Sequence, residues 1–116
     1  MQRTAIIGFG CAGFHAVKAL RRHGYSGEIH IYSDAGDPPA NPMLTTYYVA
    51  GKLAWEGMFP FGGLEVLKRE YGLTLHLDCP VVSLDAKTRC LTLGDGGKES
   101  FDHIVLATGA RALVPP

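Results

Sequence analysis

The chain has 116 residues, 47% of them apolar, and a formal net charge of zero. It is therefore the size of one folded domain and too apolar to be disordered. No basic field is present for nucleic acid, no polybasic stretch for a membrane surface, and no apolar run near the roughly 20 residues of a membrane span.

The first apolar run, Thr4-Ala5-Ile6-Ile7, reads as a buried strand, and a helical pattern opens at Cys11 and stops before Gly24. Between them stands Gly8-Phe9-Gly10-Cys11-Ala12-Gly13. Placed strand–turn–helix, this GxGxxG has a mechanical reason for each glycine. Gly8 makes the tight turn, Gly10 lets a pyrophosphate approach the backbone, and Gly13 lets the helix pack close to the sheet. The helix N-terminus adds unpaired N–H groups and a positive dipole end. Ala12, Ala16, Ala19 and Leu20 are expected on the packed face, with Lys18, Arg21 and Arg22 outward.

The three cysteines, Cys11, Cys79 and Cys90, form no CxxC, and the start of the chain lacks a secretory apolar core. Reduced thiols and a cytoplasmic setting follow. Cys11 lies at the helix mouth, where a thiolate would be stabilised but where a phosphate would use the same field. The five histidines show no ligand spacing and read as structural or solvated.

Glu28-Ile29-His30-Ile31-Tyr32 is the second strand, completing a strand–helix–strand unit. It runs into Ser33-Asp34, and Asp34 stands 21 residues after Gly13, where an acid holds a ribose 2′-hydroxyl. An acid there also disfavours a 2′-phosphate. Asp34 can also be a turn former in a proline-stiffened loop, and the two roles are compatible. Residues 44–52 suggest a short helix ended near Gly51, and 55–63 a connector. A second helix is expected over 63–71, stopped by Gly72, with a strand over 73–77.

The pattern then changes. Val81-Val82-Ser83-Leu84, Cys90-Leu91-Thr92-Leu93 and Glu99-Ser100-Phe101 are short strands separated by turn signals, an antiparallel meander. His103-Ile104-Val105-Leu106-Ala107 is a continuous apolar strand of the kind buried on both faces. The expected fold class is α/β: a Rossmann-like three-layer β/β/α fold of the FAD/NAD(P)-binding kind. Its parallel sheet has helices on one face and the meander on the other.

Three separated stretches carry a family resemblance. They are the opening Ile-Ile-Gly-Phe-Gly-Cys-Ala-Gly with its acid, the segment from Pro38-Pro39-Ala40-Asn41-Pro42 to Gly51-Lys52, and Asp102-His103-Ile104-Val105-Leu106-Ala107-Thr108-Gly109-Ala110-Arg111. Together they resemble the front of the FAD domain of the pyridine nucleotide–disulfide oxidoreductase superfamily, especially its rubredoxin- and ferredoxin-reductase-like members. The resemblance covers essentially the whole chain.

It implies a flavoprotein that takes a hydride from NADH or NADPH and passes electrons through FAD to an acceptor. By that match Gly8, Gly10, Cys11, Ala12 and Gly13 line the FAD pyrophosphate, and Ser33 or Asp34 holds the adenosine ribose. Val82 offers backbone contacts to adenine, and Asn41 and Pro42 lie near the flavin. Ala107, Thr108, Gly109 and Arg111 sit beside the cofactor. Two departures stand out. Asn41-Pro42 and Thr45-Thr46 replace the Arg-Pro and Ser-Lys of many relatives, removing a charge that tunes the flavin. No CxxxxC follows the first helix, which argues against a dithiol mechanism. The resemblance further implies that the chain is the N-terminal part of a longer enzyme, inactive alone, whose other domains hold NAD(P)H and form a homodimer. The competing reading is an NAD-binding regulatory or dehydrogenase module without flavin.

Overall fold

The computed structural model describes residues 2–34, 36, 39, 48–52, 54–59 and 62–108. Strand β1 (Arg3–Ile7) leads into helix α1 (Cys11–Arg22), β2 (Glu28–Tyr32), a short 3-10 turn (Trp55–Met58), α2 (Leu64–Tyr71) and β3 (Leu73–His76). Then come β4 (Val81–Asp85), β5 (Cys90–Leu93), β6 (Lys98–Ser100) and β7 (His103–Leu106). Of the expected helix over 44–52, residues 44–47 lie outside the described residues, and Tyr48 and Val49 are helical.

The parallel sheet has the order β3-β2-β1-β7, and the antiparallel meander β4-β5-β6 is a second sheet. One face of the parallel sheet buries Ile6, Ile29, Ile31 and Leu73 against Phe14 and Val17 of α1 and Leu67 of α2. The other face sets Ala5, Ile7 and Tyr32 against Leu91 of the meander and Phe101. Strand alternation makes this possible: successive residues of β1 and β2 serve opposite layers. The three-layer β/β/α arrangement is as expected.

Three local expectations are corrected. Helix α1 buries Gly13, Phe14 and Val17, with Ala16 and Leu20 beside them, while Ala12 and Ala19 stay exposed. The cause is Gly13, which lies against the Gly8 carbonyl and fixes the rotation of the helix. Arg21 does not project into solvent. Its guanidinium donates to the carbonyls of Tyr71 (2.8 Å), Tyr25 (2.8 Å), Gly27 (2.9 Å) and Gly72 (3.3 Å). It thereby ties the ends of both helices to the loop before β2. Strand β7 is not buried on both faces. It pairs only with β1, and Leu106 is 64% exposed. An apolar strand is sealed only when elements cover it on each side, and among the described residues β7 is the sheet's edge.

Candidate functional site

All four strands of the parallel sheet point the same way, so their carboxyl ends share one rim. Chain order reverses between β1 and β7, because β2 and β3 lie on one side of β1 and β7 on the other. That reversal is where ligands bind open α/β sheets.

The glycine corner occupies this point. Gly8 has φ +104°, a conformation closed to most side chains, and a Cβ there would strike the Ala107 carbonyl. Its N–H donates to the Tyr32 carbonyl (2.8 Å), and the Ala107 N–H donates to Ile7 (2.8 Å). The corner is thus pinned between β2 and β7. A Cβ on Gly13 would strike the Gly8 carbonyl. Gly10 differs: among the described residues, a Cβ there would meet nothing within 4 Å. Gly10 is the N-cap of α1, in extended backbone, with no side-chain cap and no acid in the first turn. The first N–H groups of the helix therefore have no side-chain cap, and the positive end of the helix dipole lies at this corner. Cys11 and Ala12 are exposed on the same turn.

Ser33 and Asp34 leave β2 at the same rim, Ser33 buried and Asp34 exposed. The Ser33 N–H donates to His76 O (3.0 Å), and the Cys79 N–H donates to Ser33 O (2.9 Å). The end of β3 thus braces the residue before Asp34, a positioning role that local sequence patterns do not reveal. Ala107 and Thr108 stand across the corner, where a Gly8 Cβ would also approach the Thr108 Cα. Val82 falls in an irregularity of the β4–β5 ladder, between the paired residues Val81 and Ser83, with its side chain 63% exposed. Such bulges leave a residue out of the ladder. Asn41, Pro42, Gly109 and Arg111 lie outside the described residues.

Behind Ser33, on the meander side, sits a polar stack. Glu28, His30 and Tyr32 alternate along β2 onto one face, and His76 stands opposite Tyr32 on β3. Tyr32 and His76 stack at 4.3 Å between ring centroids. His30 Nε2 lies 2.8 Å from Glu28 Oε1, and His30 Nδ1 lies 3.0 Å from His76 Nε2. Burial, then the neighbouring Glu99 and Cys79, push the Tyr32 hydroxyl up to about 12. The hydrogen bond from His30 holds Glu28 below the usual carboxylate value. Burial, then the charge of His30, hold His76 below the usual histidine value. Two of the five histidines thus form a bonded pair with a carboxylate, because positions two apart on a strand share a face.

Together these features define a three-layer β/β/α domain with a glycine corner at the switch point of its parallel sheet. Residues 2–116 match the pyridine nucleotide-disulphide oxidoreductase family, and the chain belongs to it. It is 32% identical over 108 residues to a rubredoxin-NAD(+) reductase of Ectopseudomonas oleovorans, covering 92% of this chain and 28% of that protein. It is 35% identical over 114 residues to the rhodocoxin reductase of Rhodococcus erythropolis, covering 96% of this chain and 26% of that protein. The crystal structure of the covalent putidaredoxin reductase–putidaredoxin complex superposes with a TM-score of 0.88 at 28% identity, covering 99% of this chain and 27% of that one. The chain spans a little over a quarter of the length of these relatives.

Proposed function

We propose that this chain is the FAD-binding part of a longer NAD(P)H-dependent flavoprotein oxidoreductase. The electrons pass from NAD(P)H through FAD to a small redox protein of the rubredoxin or rhodocoxin kind, as its relatives' names suggest. Three free thiols agree with a cytoplasmic setting, and no helix of the described residues is long and apolar enough to cross a membrane.

The observation that carries the reading is the open space in front of Gly10, at the uncapped end of α1. It fits a pyrophosphate: N–H donors with no partner among the described residues, no acid in the first turn, and room where a Cβ would stand. In this reading the N–H groups of Gly10, Cys11, Ala12 and Gly13 hold the pyrophosphate, and Gly8 sets the turn. Asp34 accepts from the adenosine ribose, Ser33 orients it, and Val82 lends its backbone to adenine. Ala107 and Thr108 line the far wall. FAD itself, when bound, supplies the redox chemistry, and the protein supplies binding, orientation and field. No side chain of the described residues is needed as a nucleophile.

A flavin titration tests this. At Gly10 a Cβ meets no described neighbour and the backbone is extended, not left-handed, so Gly10→Val is expected to fold while filling the phosphate space. Saturable FAD binding by the 116-residue chain, weakened about tenfold or more in the variant, is expected; tenfold is ~1.4 kcal/mol. Equal binding by both proteins overturns the placement. Protection of the chain by NADH with no response to FAD favours an NAD-binding module without flavin.

A further inference from the structure

The His30–His76 pair has a definite proton count. Its rings lie 13° from parallel with centroids 5.3 Å apart and nitrogens 3.0 Å apart. That separation describes rings joined edge to edge, not stacked faces. Glu28, ionised, only accepts, so His30 Nε2 carries a proton toward it. The neutral His30 Nδ1 is then an acceptor, and His76 Nε2 must donate to it. One added proton leaves the bond intact, since one of the two facing nitrogens still has a lone pair. A second added proton sets N–H against N–H at 3.0 Å. No acceptor remains between the rings, and two cations adjoin.

The surroundings favour one proton over two. From β2, Glu28 faces His30, and Tyr32 lies flat on His76. From the meander side Glu99 raises the affinity of His76 for a proton, and Arg3 of β1 lowers it. Cys79 lies just beyond β3, near the Tyr32 hydroxyl. Phe101 packs T-shaped against His30, with ring centroids 5.3 Å apart.

We propose that His30 and His76 form a proton-operated latch on the β2–β3 edge, closed with zero or one added proton and released by two. The latch bears on the site because the His76 backbone carbonyl holds Ser33, and Ser33 carries Asp34. Its link to the cofactor rests on Asp34 being the ribose acid; the latch itself does not.

Histidine NMR of the 116-residue chain, titrated from about pH 8 to about pH 4, tests it directly. Expected are two separate steps shared by both rings, with the Ser33 and Cys79 amides losing exchange protection, corrected for intrinsic rate, only in the second. Independent single titrations, or protection unchanged across both steps, overturn the latch. His76→Gln keeps an N–H donor toward His30 but takes up no proton, so its protection should stay flat through the same range. Loss of protection in that variant at the wild-type pH also overturns it. FAD affinity of the wild type should fall by up to about tenfold per pH unit through the second step and stay flat in His76→Gln. Absence of FAD binding at every pH counts against the cofactor reading alone, and the ring titration still decides the latch.

Discussion

The two faces of the parallel sheet are built from the same strands and solve burial differently. Under the helices the contacts are almost wholly apolar: Ile6, Ile29, Ile31 and Leu73 meet Phe14, Val17 and Leu67. Polar exceptions are the Thr4 hydroxyl, which donates to the Tyr25 hydroxyl at 2.8 Å, and the Arg21 guanidinium at the helix ends. Under the meander, Arg3 lies over the Phe101 ring at 4.6 Å, and Glu28, His30, His76 and Tyr32 form a linked stack. The coverings explain the contrast. Two amphipathic helices cover the side chains that β1, β2 and β3 turn toward them. The meander is a small sheet whose last strand, β6, is exposed throughout. Charges at its margin keep some solvent, and buried imidazoles find partners. One face supplies strength that pH leaves alone; the other couples the fold to protons.

The comparison can be broken most severely on the helix side. Ile31→Ala removes a fully buried side chain and should cost about 3 kcal/mol, measured by urea unfolding. The loss should be the same at neutral and mildly acid pH; a strongly pH-dependent loss would contradict the division between faces.

Arg21→Ala comes next. It strips four carbonyls of a shared donor, three of those bonds being partly buried, and should cost about 2 kcal/mol in the same assay. Hydrogen exchange should show the loosening at the ends of α1 and α2 and not in the meander.

The smallest effect is the pH profile of stability, which sharpens the contrast. The folded-state pKa of His76 lies below the ordinary 6.5, so the folded chain binds fewer protons than the unfolded one just below that value. Its contribution is therefore full above about pH 6.5 and is lost as pH falls through the lowered value. Glu28, also lowered from 4.5, adds a similar loss further down. Thermal unfolding should show wild-type stability declining below about pH 6.5, with a flatter slope in His76→Gln. Parallel slopes would move the acid sensitivity elsewhere.

Much of this was legible locally. The strand–turn–helix opening, the meander turns and the four parallel strands follow from period and punctuation, which act over a few residues. The glycine corner was legible for the same reason: Gly8, Gly10 and Gly13 are close in sequence, and the conformation each needs is a backbone property. The proximity of Glu28 and His30 was also available, since the strand's alternation sets both on one face.

Other features needed contacts that sequence distance hides. The partner of His30 is His76, 46 residues away, and only the β2–β3 register brings them together. Arg21 was read as outward because the helix alone offers it solvent; the carbonyls of Tyr25, Gly27, Tyr71 and Gly72 converge on it only after α2 and β3 are in place. The rotation of α1, which exposed Ala12 and Ala19, was set by one contact between Gly13 and the Gly8 carbonyl. The composition of β7 announced a buried strand, yet its exposure depends on what covers it. The sequence by itself therefore determined the elements, their order and the glycine corner, because these arise from backbone preference and local periodicity. The tertiary structure alone decided which imidazoles share a hydrogen bond and which apolar strand stays uncovered among the described residues, because each depends on neighbours distant along the chain.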